Sequence, residues 1–96
     1  MNIISFLTLT QVIQNLQQAK KLVAESSKLH QDERKLSLEL AKSLCERVLN
    51  NAKRWETSVN NILTKMPDTQ AWADYYLVLG IKTEAEKLLG LCEIDY

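Results

Sequence analysis

The chain has 96 residues, 46% of them hydrophobic, and its twelve basic and twelve acidic residues cancel. That length suits one small domain, the apolar fraction suits a packed protein, and zero net charge removes the bulk electrostatic case for nucleic acid or an anionic membrane. Two glycines and one proline leave little material for tight hairpins, so the composition argues against a sheet and for an all-α fold.

No segment reaches the ~18 consecutive apolar residues of a membrane span. The apolar N-terminus has no basic n-region and no small-residue cleavage site, so no signal peptide is expected. Cys45 and Cys92 each stand alone on an apolar stripe, where buried free thiols in a reducing cytoplasm are the expectation. Charge is uneven along the chain. Residues 1–19 carry none, residues 20–54 hold nine basic against five acidic residues, and residues 67–96 hold six acidic residues against two lysines. Opposite signs in the two charged segments are expected to pair within one fold.

The first helix is expected over residues 9–30, capped by Thr8 or Thr10, with an apolar face of Leu9, Val12, Ile13, Leu16, Ala19, Val23 and Ser26. Its other face, Gln11, Gln14, Asn15, Gln17 and Gln18, is polar without charge and reads as solvated. Ahead of it stand Ile3, Ile4, Phe6 and Leu7. They either fold back as an extra turn or form a docking strip for a partner.

His30 to Glu33 forms the turn, with Asp32 as the expected N-cap of a long central helix over 33–66. A connection this short makes the two helices antiparallel. Along the central helix Ala41, Cys45, Val48, Ala52, Trp55, Val59, Ile62 and Met66 recur at alternating spacings of four and three, the period of one buried helix face. Leu36, Leu38, Leu40, Leu44 and Leu49 widen that arc, so the helix is expected to touch neighbours on more than one side. Its outer surface interleaves Arg34, Lys35, Arg47, Lys53 and Arg54 with Glu39 and Glu46, the pattern of a wet face.

Met66-Pro67 ends the spine, and Asp68 or Thr69 caps the next helix. That helix, expected over 69–80, presents Trp72, Tyr75, Tyr76 and Leu79, with Gly80 as its stop. Thr83 and Glu86 have capping-box spacing and open a last helix over 83–94, whose buried side is Leu88, Leu89, Leu91 and Cys92.

These residues resemble one tetratricopeptide hairpin over 69–96. That family sets small and large residues at fixed offsets in a ~34-residue helical pair. Its small first-helix position falls on Ala73, its tyrosine on Tyr76, its second-helix alanine on Ala85 and its phenylalanine on Leu89, with Gly80 in the turn. Its tryptophan position falls on Thr69 and its leucine on Trp72, and Cys92 stands where a further small residue is usual. One period upstream the matching positions are Glu39, Lys42 and Asn51, so no second copy precedes it. The resemblance implies a helical hairpin that binds peptides or proteins.

Catalytic chemistry is not legible. There is no Gly-rich phosphate loop, GxSxG, CxxC or HExxH, and the single histidine, His30, has no ligand-spaced companion. No enzyme activity, metal, cofactor or small-molecule substrate is expected. The fold expected is an all-α antiparallel bundle of two long helices with a C-terminal helical hairpin. The function expected is protein–protein interaction, as an adaptor, small chaperone or inhibitor, with Ile3, Ile4, Phe6, Leu7, Trp72, Tyr75 and Tyr76 as candidate contacts and a second copy of the chain as one possible partner. The alternatives are a structural subunit of a helical assembly and a nucleic-acid regulator using the basic segment 20–54, the latter disfavoured by the interleaved acids.

Overall fold

A computed structural model describes residues 4–93. Among them the chain is all helical: α1 spans Phe6–Ser26, α2 Gln31–Lys65 and α3 Thr69–Glu93. At 1.5 Å per residue the 35 residues of α2 span about 52 Å, which matches the long dimension of 52 Å. α2 is the spine. α1 and α3 both pack along it and touch each other only marginally.

One spacing rule builds the core. Buried positions are Val12, Leu16, Ala19 and Ser26 in α1, then Leu38, Ala41, Cys45, Val48, Ala52, Trp55 and Val59 in α2, with Leu49 buried beside Val48. In α3 they are Ala71, Asp74, Val78, Ile81, Ala85, Leu88 and Cys92. Steps of three and four alternate through α2 and α3, the heptad period that keeps one face on a neighbour. Alanines at Ala19, Ala41, Ala52 and Ala85 are fully buried, which lets the backbones approach closely.

The ends of the helices depend on side-chain chemistry. Ser5, not Thr8 or Thr10, caps α1, accepting from the Thr8 N–H at 3.4 Å, so the helix starts three residues before the expected residue 9. The Thr10 hydroxyl instead donates to the Phe6 carbonyl. At the α1–α2 turn the guanidinium of Arg34 donates to the carbonyls of Ser26, Ser27 and Leu29 at 3.1–3.4 Å, sealing the open end of α1. His30 occupies the N-cap position of α2 without a side-chain cap bond, and Asp32 lies inside the first turn. Pro67 pushes Met66 out of the helical region, and Asp68 restarts the chain as a helix by accepting from the Ala71 N–H at 2.7 Å.

Further expectations are corrected. The segment expected as helices over 69–80 and 83–94 is one uninterrupted helix to Glu93, so the hairpin with Gly80 in its turn does not form and Ala73 is exposed. Residue 94 lies outside the described residues. The cause is the apolar stripe of α3, which keeps its phase through Gly80 and Thr83, and a break there would move Ala85, Leu88 and Cys92 off α2. Second, Leu36 and Leu40 are exposed, because they lie off the stripe of Leu38, Ala41 and Cys45 that α2 buries. Third, the α2 stripe loses cover at its far end, where Ile62 is half-buried and Met66 is 71% exposed. Leu91, expected on the buried side, also faces solvent.

Two pairs join the basic and acidic segments as expected, and a third, Glu56 with Lys82, runs with the signs reversed. Lys20 meets Glu84, Lys42 lies 3.8 Å from Glu93, and Glu56 lies 3.2 Å from Lys82. These tie α3 to the other two helices. They are exposed or half-exposed pairs, so each contributes well under ~1 kcal/mol and the packing carries the stability.

Cys45 of α2 and Cys92 of α3 are fully buried, unoxidised neighbours. Burial, then the neighbouring Cys92 and Glu46, pushes the Cys45 thiol from its ordinary 9.0 up to about 11, and burial also raises Cys92. The folded state thus holds its thiol protons more tightly than the unfolded chain. That contribution is complete below about pH 9 and is lost as pH rises towards about 11, on the order of 2 kcal/mol from Cys45. Urea midpoints under reducing conditions at rising pH are expected to fall more steeply for the wild-type chain than for a Cys45→Ala, Cys92→Ala variant. Parallel slopes would contradict the coupling.

Candidate protein-interaction surface

Continuity of α3 decides the geometry of the aromatic residues. Trp72, Tyr76 and Leu79 are spaced four and three apart, so one unbroken helix stacks them as a ridge on its outer side. The rings of Trp72 and Tyr76 lie stacked, with centroids 6.2 Å apart and planes at 29°. Tyr75 sits edge-on to both, at 5.9 Å from Trp72 and 5.5 Å from Tyr76. Edge-to-face and offset stacking are the favoured aromatic arrangements, so the three rings hold one another in place. Trp72 remains 47% exposed and Tyr76 64%, while Tyr75 is half-buried. Beyond them a shallow hollow is bounded by Tyr76, Leu79, Gly80 and Thr83. Gly80 has no side chain to fill it.

The N-terminal candidates divide. Phe6 and Leu7 are each 80% exposed on the first turn of α1, whereas Ile4 is buried in the same core cluster as Trp55 and Ile81. Ile4 therefore anchors the start of α1 and does not belong to an exposed strip. Ile3 lies outside the described residues. The polar face of Gln11, Gln14, Gln17 and Gln18 is exposed, as a solvated face should be.

Leu36 and Leu40 on α2 and Leu77 on α3 are exposed apolar side chains that sequence reasoning does not mark as surface. A signal for two of them exists, since Leu40 falls between the heptad positions Leu38 and Ala41, and Leu36 lies two residues before Leu38, off the spacing of three or four. A polar notch of about 290 Å³ lies between α1 and α2, where Thr8, Gln11 and Asn15 face Arg47, Asn51 and Arg54. Arg54 is held there by the Asn51 side chain at 3.1 Å.

Among the described residues no three histidine, cysteine or acidic side chains gather as a metal site. No described helix is long and apolar enough to cross a membrane. No family model, curated protein or solved structure matches the chain.

Proposed function

We propose that this protein is a non-enzymatic interaction module, an adaptor, small chaperone or inhibitor of a larger protein, that engages its partner through the ridge of α3. The observation that carries this function is the self-stacked set of exposed Trp72 and Tyr76 with half-buried Tyr75. Aromatic anchors that are already ordered lose little entropy on binding and dominate interface energetics. A helix laid along α3 could place an apolar side chain in the hollow beside Gly80.

A structural subunit of a helical assembly is the second reading, favoured by the scattered exposure of Phe6, Leu7, Leu36 and Leu40. Nucleic-acid binding is weaker, because several cations of segment 20–54 have intramolecular work. Lys20 and Lys42 pair with α3, and Arg34 closes α1. The two buried free thiols support a reducing compartment, the cytoplasm.

Light scattering behind size-exclusion chromatography, with thiols reduced, is expected to give a monomer of 11.0 kDa. Affinity capture with wild-type bait is then compared with a Trp72→Ala, Tyr76→Ser bait, whose exposed positions leave the fold intact. Loss of the captured protein, or at least about a tenfold weakening, is expected. Equal capture by both baits would refute the ridge. A species larger than a monomer that the same double variant dissolves would assign the ridge to self-association.

A further inference from the structure

Beyond the ridge, the far end of the molecule contains a largely buried carboxylate, Asp74, that no described cation pairs with. α1 has 21 residues, about 31 Å, against the 35 residues of α2. Thr8, in its first turns, lies across the notch from Arg54, so among the described helices the last turns of α2 run past the start of α1 and have α3 beside them. Between them opens a cleft of about 370 Å³. Its apolar wall is Ile62, Met66 and Ala71, and Asp74 lies in the same wall.

Asp74 is only 9% exposed and occupies a heptad position that elsewhere in α3 holds Val78, Ile81 or Ala85. Its Oδ1 accepts from the Gln70 side-chain amide at 2.9 Å. No described cation forms an ion pair with it, and the nearby Asp68 Oδ1 is engaged by the Ala71 N–H. Lys65 also lines the cleft, yet against Asp68 and Asp74 it leaves the lining net negative. The other carboxylate oxygen has no partner among the described residues and is not itself buried, so a cation placed against it in the cleft gains a charge-assisted contact.

We propose that this cleft receives a lysine side chain presented by a partner protein, with Asp74 as its anionic anchor. The source of that lysine rests on the interaction-module function, but the cleft is separate from the ridge. Two features select lysine. With Oδ1 already occupied by Gln70, a single oxygen remains, which suits the point charge of an ammonium better than the two-pronged fork of a guanidinium. The wall of Ile62, Met66 and Ala71 covers methylenes while the charged tip reaches the carboxylate.

The probe is Nα-acetyl-lysine methylamide, titrated into the ¹⁵N-labelled full chain at low salt, with the norleucine and arginine analogues as isosteres. Saturable shifts confined to amides around Ile62, Met66, Ala71 and Asp74 are expected. Norleucine is expected to bind at least about tenfold more weakly, arginine between the two, and Asp74→Asn is expected to weaken lysine binding by a similar factor. The isostere comparison on the wild-type chain stands even if Asp74→Asn perturbs the fold. Norleucine binding as well as lysine, indifference to Asp74→Asn in a folded variant, or no shifts in the cleft would each overturn the proposal. None of these readouts uses Trp72 or Tyr76, so the cleft and the ridge fail separately.

Discussion

Replacing Trp55 by alanine is expected to cost about 3–5 kcal/mol, enough to remove most of the stability of a domain this small. Trp55 lies on the buried stripe of α2 and in one core cluster with Ile4 ahead of α1 and Val78 and Ile81 of α3. It therefore fills space shared by the spine and both of its flanks. Truncation leaves a cavity that three separate segments would have to collapse, and rigid helices collapse poorly. Trp55→Phe keeps most of the volume and is expected to retain most of the stability. The control is Trp72→Ala, because Trp72 is half in water and its ring contacts among the described residues are with Tyr75 and Tyr76. Its loss is expected to cost less than about 1 kcal/mol. Urea unfolding followed by far-ultraviolet circular dichroism measures all three variants. Equal midpoints for Trp55→Ala and Trp72→Ala would mean that Trp55 is not at the centre of the core.

The second large effect is expected at Gly80. Inside a continuous helix glycine is the weakest non-proline former, and a Cβ added at Gly80 meets nothing within 4 Å. Gly80→Ala is accordingly expected to stabilise the protein by about 0.5–1 kcal/mol. Gly80→Pro removes a helix hydrogen bond and clashes with the preceding turn, at a cost of about 3 kcal/mol or more. It would also throw Ile81, Ala85, Leu88 and Cys92 out of phase with α2. A hairpin with Gly80 in a left-handed turn requires the opposite sign for the alanine variant. The sign of the Gly80→Ala change in urea midpoint thus separates one helix from two. Destabilisation by alanine would restore the hairpin.

That position also shows how far residue pattern alone reaches. Gly80, with Thr83 and Glu86 at capping-box spacing, is a sound local signal for a helix end. The competing signal is the run Ala71, Val78, Ile81, Ala85, Leu88 and Cys92, which keeps its period across the supposed break. Asp74 obscures it by placing a carboxylate in the stripe, while Trp72, Tyr75, Tyr76 and Leu79 mark the opposite side of the same helix. Local capping is worth about 1 kcal/mol, whereas burying the second half of α3 against α2 removes several large apolar side chains from water. The non-local term wins.

The sequence by itself determined that the protein is an all-α bundle with α2 as its spine, antiparallel to α1. It did so because a stripe at alternating spacings of three and four admits one buried helix face, and because the short turn around His30 leaves only one direction for the chain. It also placed the aromatic residues of α3 and the stop at Pro67, which depend on local chemistry. Tertiary structure decided which of the remaining apolar residues are covered. Ile4 is buried while Phe6 and Leu7 are not, and Leu38 is buried while Leu36 and Leu40 are not, because cover depends on what the packed helices place opposite each side chain. The mismatch in helix lengths opens the cleft beside Asp74. A residue's spacing records which face it occupies; only the packed helices record whether anything lies opposite that face.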